Sequence, residues 1–317
     1  MPKYTLEELL AQIAPGLPLP VLPEWEERVP VGREIIDKKL IWMVGDVHGH
    51  FGHVLETVRM TGEKPAAVIF LGDLQCPAPF SECVKHIEAA GIACWAIPGN
   101  HDTDSEADCR NLFHDPLFKE RNLHGRVVEI AGLRVAGLGG VFRGEIWYPR
   151  ASGNAEAVDE PVFRSYDAFR LDLQQRQGRP RRLSNPEERL APAVPDRIAL
   201  LGDEIRNGKL RRHQSSIFHD DYLALYGQAA DILVTHEAPA CHPHGFREID
   251  ALAQSLHAKY VFHGHHHDSL NYRNEFTRLG FAAYGVGFLG ITNMFGGRLR
   301  IGESDEASAD RTPRRGE

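Results

Sequence analysis

The chain has few cysteines, no long apolar run and no excess of positive charge. Its 317 residues include 5 cysteines and no C-x-x-C pair, which excludes a disulfide-stapled miniprotein and favours free, mostly buried thiols. No apolar run approaches the ~18 residues of a membrane-spanning helix. Lys and Arg number 36 against 44 Asp and Glu, and this net charge of -8 argues against a nucleic-acid or membrane footprint over the whole surface.

The two ends of the chain differ in pattern from the middle. Lys3, Glu7 and Glu8 interrupt the first apolar positions, so no signal peptide is expected there and the expected location is the cytoplasm. Residues 1–39 predict an N-terminal helix followed by a proline-rich connector, and residues 303–317 predict a disordered tail. We expect one domain between them, over residues 40–302.

Buried strands alternate with helices from residue 40 onward. Continuous apolar runs suit strands covered on both faces, and Ser81 is the predicted N-cap of a helix that Gly91 ends. Strand, helix, strand, helix, strand in this order implies parallel pairing with right-handed crossovers, so an α/β fold is expected. The predicted strands are 40–44, 67–71, 92–97, two within 126–139 that turn at Ala131–Gly132, 232–235, 260–262 and others within 277–301; the predicted helices are 53–60, 81–90, 219–227 and 247–257.

The regular pattern is lost between residues 143 and 218. This stretch is rich in arginine and proline, and we interpret it as a partly helical insertion or cap without a core of its own. Its arginine cluster, Arg176, Arg179, Arg181 and Arg182, is a candidate for gripping a phosphodiester backbone. A solvated loop is the favoured reading, because aromatic stacking partners are missing nearby.

Five short polar segments directly follow predicted strands. The carboxyl ends of parallel strands meet in one crevice where ligands bind, so these segments are expected to converge. Asp, His and Asn together suit borderline divalent ions, although each segment taken singly is also ordinary turn chemistry. The segments are GDVHG (45–49), GD (72–73), GNHD (99–102), TH (235–236) and GHHH (264–267).

In this order the five segments resemble the calcineurin-like metallophosphoesterases, whose pattern is GDxHG, GD, GNH followed by an acid, a lone His and GHxH. The resemblance covers residues 40–294 apart from the insertion. It implies a four-layer α/β/β/α sandwich and two divalent metal ions, with manganese as the expected metal and iron, zinc, cobalt and nickel as alternatives. It also implies a small phosphorylated substrate and no membrane partner.

The resemblance implies a role for each matching residue. One ion would be held by Asp46, His48, Asp73 and His267, and the second by Asp73, Asn100, His236 and His265. A hydroxide bridging the ions would attack phosphorus, protonated His101 would give its proton to the leaving oxygen, and Asp102 would orient His101. His266 is expected to face away, and His242 and His244 fit a solvated loop better than a substrate contact.

The second motif departs from that of two branches of the superfamily. Protein Ser/Thr phosphatases and diadenosine-tetraphosphate hydrolases extend it to GDxxDRG, whereas residues 72–78 read GDLQCPA, which counts against those two activities. Arg143, in GLGGVFRG, is the candidate replacement for the missing phosphate contact, with a structural salt bridge as the alternative. A looser resemblance links GLGGVFR, SIFH and THEAP to RNA lariat-debranching phosphodiesterases, whose first motif has Cys instead of Asp.

The resulting expectation is a phosphoric ester hydrolase, with the choice between monoesters and diesters left open. One alternative is a phosphodiesterase or nuclease that acts on nucleotide or RNA substrates through the arginine-rich insertion. Another alternative is a metal-binding scaffold without catalysis, although the sequence contains all seven implied ligands and also His101. Oligomeric state has no signal in the sequence.

Overall fold

The computed structural model describes residues 40–149, 160–177 and 207–304. The predicted N-terminal helix and connector, the side chain of Arg176, the arginines at 179–182 and the tail beyond residue 304 lie outside the described residues. No helix in the described part of the chain is both long enough and apolar enough to cross a membrane.

Short strands and helices alternate along most of the described chain, close to the predicted positions. In chain order the elements are β1 (Ile41–Val44), α1 (His53–Thr61), β2 (Ala67–Phe70), α2 (Phe80–Ala89), β3 (Ala93–Ala96), α3 (Glu106–Phe113), α4 (Pro116–Arg121), β4 (Arg126–Ile130), β5 (Leu133–Leu138), α5 (Tyr166–Gln177), α6 (His219–Leu225), β6 (Ile232–Thr235), α7 (Arg247–Ser255), β7 (Tyr260–His263), α8 (Phe276–Leu279), β8 (Ala282–Gly285), β9 (Ile291–Asn293) and β10 (Arg298–Arg300). Residues 207–212 are also helical.

The strands form two mixed sheets of five strands each. The first has the order β10-β9-β1-β2-β3, with β1, β2 and β3 parallel and the two late strands antiparallel at one edge. The second has the order β4-β5-β6-β7-β8, in which β4 and β5 form a hairpin and the other pairs are parallel. The hairpin turns at Ala131–Gly132, as predicted, and both residues have positive φ, the geometry of the preferred two-residue hairpin turns.

Three apolar layers hold the two sheets and their helices together. Alternate residues of both sheets, among them Ile41, Met43, Val234 and Phe262, form one cluster between the sheets. The other faces of the strands pack with helix residues into two outer clusters, one on each sheet. Burial on both faces explains why these strands are continuous apolar runs. The predicted four-layer α/β/β/α sandwich is therefore confirmed.

Ser81 does not cap α2, so that prediction is wrong. The N-cap is Pro79, whose extended backbone leads into a helix beginning at Phe80, and Ser81 lies in the first turn. Its hydroxyl donates to Oδ2 of Asp115 at 2.7 Å, while Oδ1 of Asp115 accepts the N–H of Phe118 and so caps α4. Ser81 therefore joins two helices instead of starting one.

The described parts of the insertion pack onto the second sheet. Ile146, Phe169 and Ile217 are buried in the same cluster as Leu233 and Val261 of the sheet. These parts are partly helical, through α5 and residues 207–212. These described parts thus extend the existing outer core.

All five cysteines are free, as the sequence predicts. Cys76, Cys94 and Cys109 are buried, and Cys83 and Cys241 are partly buried. Burial raises the pKa of the Cys109 thiol, so this side chain behaves as a small apolar residue.

Candidate metal centre

The carboxyl ends of the parallel strands place the predicted ligands side by side. Ligand atoms of one group lie within 4.8 Å of one another, and the same holds for a second group. The first group is Asp46, His48, Asp73 and His267, and the second is Asp73, His236 and His265. Asn100 adjoins the second group, because its Oδ1 lies 3.1 Å from Nε2 of His236. The structure thus brings all seven implied ligands into one cleft.

Several residues around the cleft have a left-handed backbone conformation. His48, Asp73, His265 and His267 all have left-handed φ, between 41° and 73°, which is uncommon for residues other than glycine. Gly72 lies against His236, and a Cβ at that position would collide with the imidazole ring. Backbone strain of this kind concentrates at functional sites, where the surrounding structure maintains it.

The two oxygens of the Asp73 carboxylate differ in their contacts. Oδ1 accepts the backbone N–H of His101 at 2.8 Å, but the buried Oδ2 accepts no hydrogen bond from any described residue. Burial opposes ionisation, yet the positive charge of His236 and hydrogen bonds outweigh it and hold the pKa of Asp73 below its usual range. A buried carboxylate oxygen that is ionised and unpartnered fits a cation.

The tautomer of His236 points to the same conclusion. Its Nδ1 lies 2.7 Å from the carbonyl oxygen of Leu71, so Nδ1 carries the proton and Nε2 presents a lone pair when the ring is neutral. That lone pair faces Oδ2 of Asp73 at 3.4 Å and Oδ1 of Asn100 at 3.1 Å. Three electron-pair donors directed at one another repel unless a proton or a metal ion lies between them.

His48 is oriented in a similar way by a residue that the sequence did not single out. Nδ1 of His48 lies 2.5 Å from the side-chain oxygen of Gln75, which leaves Nε2 facing Nε2 of His267 at 3.2 Å. Nε2 of His267 is also 3.1 Å from Oδ2 of Asp46. The carboxylate of Asp46 also accepts the backbone N–H of His265, and its Oδ1 lies 3.9 Å from Nδ1 of His236. Carboxylate oxygens and imidazole nitrogens that lie this close together suit a second cation at this position.

His101 is paired with Asp104, not with Asp102. Nδ1 of His101 lies 2.6 Å from Oδ2 of Asp104, across one turn of the 3₁₀ helix His101–Thr103. Side chains at positions i and i+3 of a 3₁₀ helix eclipse each other, which explains the pairing. Burial works against protonation, but the Asp104 hydrogen bond and the Asp73 charge raise the pKa of His101 above its ordinary value. The half-buried ring lies 5.5 Å from that of His48.

Asp102 joins two motif loops instead of orienting His101. Its carboxylate is fully buried and accepts the backbone N–H groups of Gln75 and Gly99, each at 2.8 Å. Burial, reinforced by the Asp73 charge, raises the pKa of Asp102 to about 7. The expected contact between Asp102 and the His101 ring is absent from the described residues, and the carboxylate that meets this ring is that of Asp104.

Arg143 lies beside the cleft and forms no salt bridge among the described residues. Its Nη1 donates to the carbonyl oxygens of Arg212 and Ser215 and to the hydroxyls of Ser215 and Ser216. It lines the same cavity as Asn100 and His265. The alternative of a structural salt bridge is therefore not what the structure shows.

The neighbouring histidines are less solvated than the sequence suggested. His242 is 6% exposed and stacks on His266, with ring centroids 3.9 Å apart, so the solvated-loop interpretation of His242 is wrong. His266 does not face away completely: its ring nitrogen lies within 4.8 Å of ligand atoms of Glu237 and His265. Glu237, adjacent to His236 in the chain, is a buried acid that the motif reading missed.

Comparisons with known proteins agree with this arrangement. A family model described as calcineurin-like phosphoesterase matches residues 39–269. A protein of Haemophilus influenzae described as uncharacterized is 34% identical over 262 residues, covering 82% of this chain and 96% of that protein. A solved crystal structure covers 81% of this chain and 95% of its own with 11% identity, but its TM-score of 0.39 is too low to support an argument.

Proposed function

The chain belongs to the calcineurin-like phosphoesterase family, and we propose that it hydrolyses a phosphate ester with two divalent metal ions in the cleft described above. The observation that carries the proposal is the buried Oδ2 of Asp73, which accepts no hydrogen bond from a described residue and lies 3.4 Å from Nε2 of His236. Asp73 is the residue shared by both groups of ligands, and a carboxylate shared in this way would be suited to bridging two ions.

The ions would be held by the seven residues in their two groups. Asp46, His48, Asp73 and His267 would hold one, and Asp73, Asn100, His236 and His265 the other. When bound, such ions lower the pKa of water toward about 7 and stabilise negative charge on phosphate oxygens. Manganese is the proposed metal, since carboxylate, amide and imidazole ligands accept it, with iron, zinc, cobalt and nickel as alternatives.

His101 is the proposed proton donor. Its Nδ1 proton is directed at Asp104, so in the imidazolium form Nε2 carries the proton that is free to move. The raised pKa keeps the imidazolium populated nearer to neutral pH. Protonation of the leaving oxygen by a positioned side chain contributes a factor of about 10² to 10⁴ in rate.

The remaining residues position these groups. Gln75 fixes the His48 ring through Nδ1, and Asp102 ties the loop of Gln75 to that of Gly99. Arg143 is the proposed contact for a non-bridging phosphate oxygen, because its clamped guanidinium lines the cavity that Asn100 and His265 also line. Both the monoester and the diester remain candidate substrates, and the cytoplasm remains the proposed location.

Turnover measurements test this proposal. The chelator-treated protein is assayed with p-nitrophenyl phosphate and bis(p-nitrophenyl) phosphate after adding Mn²⁺, Fe²⁺, Co²⁺, Ni²⁺ or Zn²⁺ one at a time. We expect one or both esters to be hydrolysed only after a metal is added. Metal binding without hydrolysis of either ester, or of nucleotide and RNA substrates, would favour the scaffold alternative.

A further inference from the structure

A cavity of about 420 Å³ opens from the proposed metal centre toward the ends of the insertion. Asn100 and His265, from the second group of ligands, line one side of it. Arg143, Tyr148 and Arg212 line the side contributed by the insertion. Small-molecule sites have volumes of about 300–1,000 Å³, so the cavity has room for more than one phosphate group. Anything bound in it lies next to the reacting phosphate.

Arg143 is held in place with part of its guanidinium unused. All four of its hydrogen bonds leave from Nη1, toward Arg212, Ser215 and Ser216. Among the described residues Nε and Nη2 have no protein acceptor, and neither is a fully buried unsatisfied atom. Two donors of a rigid planar group are therefore available to the cavity, the geometry that suits a phosphate.

Arg212 adds a second positive charge to the same wall. Its side chain is exposed and has no hydrogen bond or ion pair with any described residue. Burial first, and then the Arg212 charge, lower the pKa of Arg143 to about 10, so the two guanidinium groups are close enough to repel each other. Glu237 also lines the cavity, but its Oε1 accepts the N–H of Phe142 at 3.0 Å. Two adjacent cations with free donors favour an anion between them.

An aromatic side chain lies at the mouth of the cavity. Tyr148 is 49% exposed, and its ring meets Phe246 edge-on with centroids 5.5 Å apart. Phe246 is buried against Phe142, so Tyr148 rests on a fixed aromatic neighbour while about half of its surface stays exposed. A large exposed aromatic beside two arginines suits stacking with a planar base.

We propose that this cavity selects a nucleoside carrying two linked phosphates, with the inner phosphate on Arg143 and Arg212 and the base on Tyr148. The terminal phosphate would then lie at the metal centre. This inference rests on the proposed function and extends it from the phosphate ester to the phosphoanhydride bond between two linked phosphates. In the reaction, water adds to the terminal phosphorus and the bond from that phosphorus to the bridging oxygen breaks. The bridging oxygen takes a proton from His101, leaving orthophosphate and a nucleoside monophosphate.

Binding and kinetics test the cavity together. The probe is the methylene-bridged analogue of adenosine 5′-diphosphate, which cannot be cleaved between its phosphates, measured by calorimetry on the metal-loaded protein. We expect Arg212→Ala to weaken binding of the analogue about tenfold and Tyr148→Ala about fivefold, the size of a lost charge contact and of a lost stacking contact. Tyr148→Phe keeps the ring and should restore most of the affinity.

Matched substitutions outside the cavity distinguish the loss of a cavity contact from a general loss of structure. Arg59→Ala on α1 and Tyr226→Ala after α6 remove an exposed arginine and an exposed tyrosine, and both should bind the analogue like the wild type. In turnover, the ratio of kcat/KM for adenosine 5′-diphosphate to that for p-nitrophenyl phosphate should fall in Arg212→Ala and Tyr148→Ala alone.

The outcomes distinguish this inference from the proposed function. Equal affinity of the analogue for the wild type, Arg212→Ala and Tyr148→Ala would overturn the inference, as would a wild type that cleaves p-nitrophenyl phosphate but not the diphosphate. Tight binding of the analogue, weakened in the same two variants, in a protein that hydrolyses no phosphate ester would support the cavity assignment and overturn the proposed function.

Discussion

Nε2 of His236 lies 3.4 Å from Oδ2 of Asp73, and both side chains are almost completely buried. Nδ1 of the same ring donates to the carbonyl oxygen of Leu71, so a neutral His236 offers only a lone pair to the carboxylate. In the metal-free chain the contact requires a proton: burial opposes it, but the charge of Asp73 raises the pKa of His236 to about 10. A metal ion bound here would replace that proton and would be held by both side chains.

Replacing Asp104 by Asn should change the pH dependence of catalysis. The carboxylate raises the pKa of His101, so removing its charge lowers that pKa. The proton donor is active below its pKa and inactive above it, so the alkaline limb of the kcat profile should move to lower pH. The profile of Asp104→Asn is measured with p-nitrophenyl phosphate beside that of the wild type.

Asp108→Asn is the control for that experiment, because Asp108 caps α3 through Ser105 and forms no hydrogen bond or ion pair with His101 in the described part of the chain. Its alkaline limb should coincide with that of the wild type. An unchanged alkaline limb in Asp104→Asn would contradict the role of Asp104 in setting the protonation of His101.

Replacing Gln75 by Ala should weaken metal binding without removing any ligand. The side-chain oxygen of Gln75 holds the Nδ1 proton of His48 and so directs Nε2 into the cleft. Loss of such a supporting hydrogen bond costs about 10- to 100-fold in metal affinity. Competition with a chromogenic chelator measures the change, and Gln75→Glu, which keeps an acceptor, should recover most of it.

Gln228→Ala provides the comparison for Gln75, since Gln228 is exposed and its side chain bonds only the carbonyl oxygen of Ala224 among the described residues. Metal affinity should not change in this variant. If Gln75→Ala bound metal as tightly as Gln228→Ala does, Gln75 would have no part in orienting His48.

Replacing Asp102 by Ala should act mainly on stability. The change leaves the N–H groups of Gln75 and Gly99 without their buried acceptor, and an unsatisfied buried group costs about 1–3 kcal/mol. Urea unfolding should show that the free energy of unfolding falls by that amount or more. Metal binding should also weaken, because the two loops separate. A variant as stable as the wild type would show that Asp102 does not join the loops.

The sequence was sufficient to predict the architecture and the meeting of the candidate ligands at one edge of the sheets, because both depend on local patterns. Apolar runs such as Ile41–Val44 are set by burial on both faces, and parallel pairing then brings the following polar segments to one edge. No local sequence pattern determines which side chains of a short turn point toward a given neighbour. Whether Asp102 or Asp104 meets His101 depends on a 3₁₀ turn that buries one acid and exposes the other.

Contacts between distant segments were also beyond a reading of the sequence. Ser81 has the chemistry of an N-cap, but Asp115, far along the chain, offers its hydroxyl a better partner. His242 has the polar surroundings of a loop, yet stacking on His266 buries it. The cavity at Arg143 forms only where the insertion packs against the second sheet, and no local pattern fixes that packing.

Metal stoichiometry tests the central claim most directly. Wild-type protein and Asp73→Ala are each dialysed against Mn²⁺, freed of unbound ion and analysed by inductively coupled plasma mass spectrometry. Because Asp73 belongs to both groups of ligand atoms, the wild type should hold two ions per chain and the variant should lose both. A wild type without bound transition metal, or an Asp73→Ala protein that retains two ions, would contradict a metal centre bridged by Asp73.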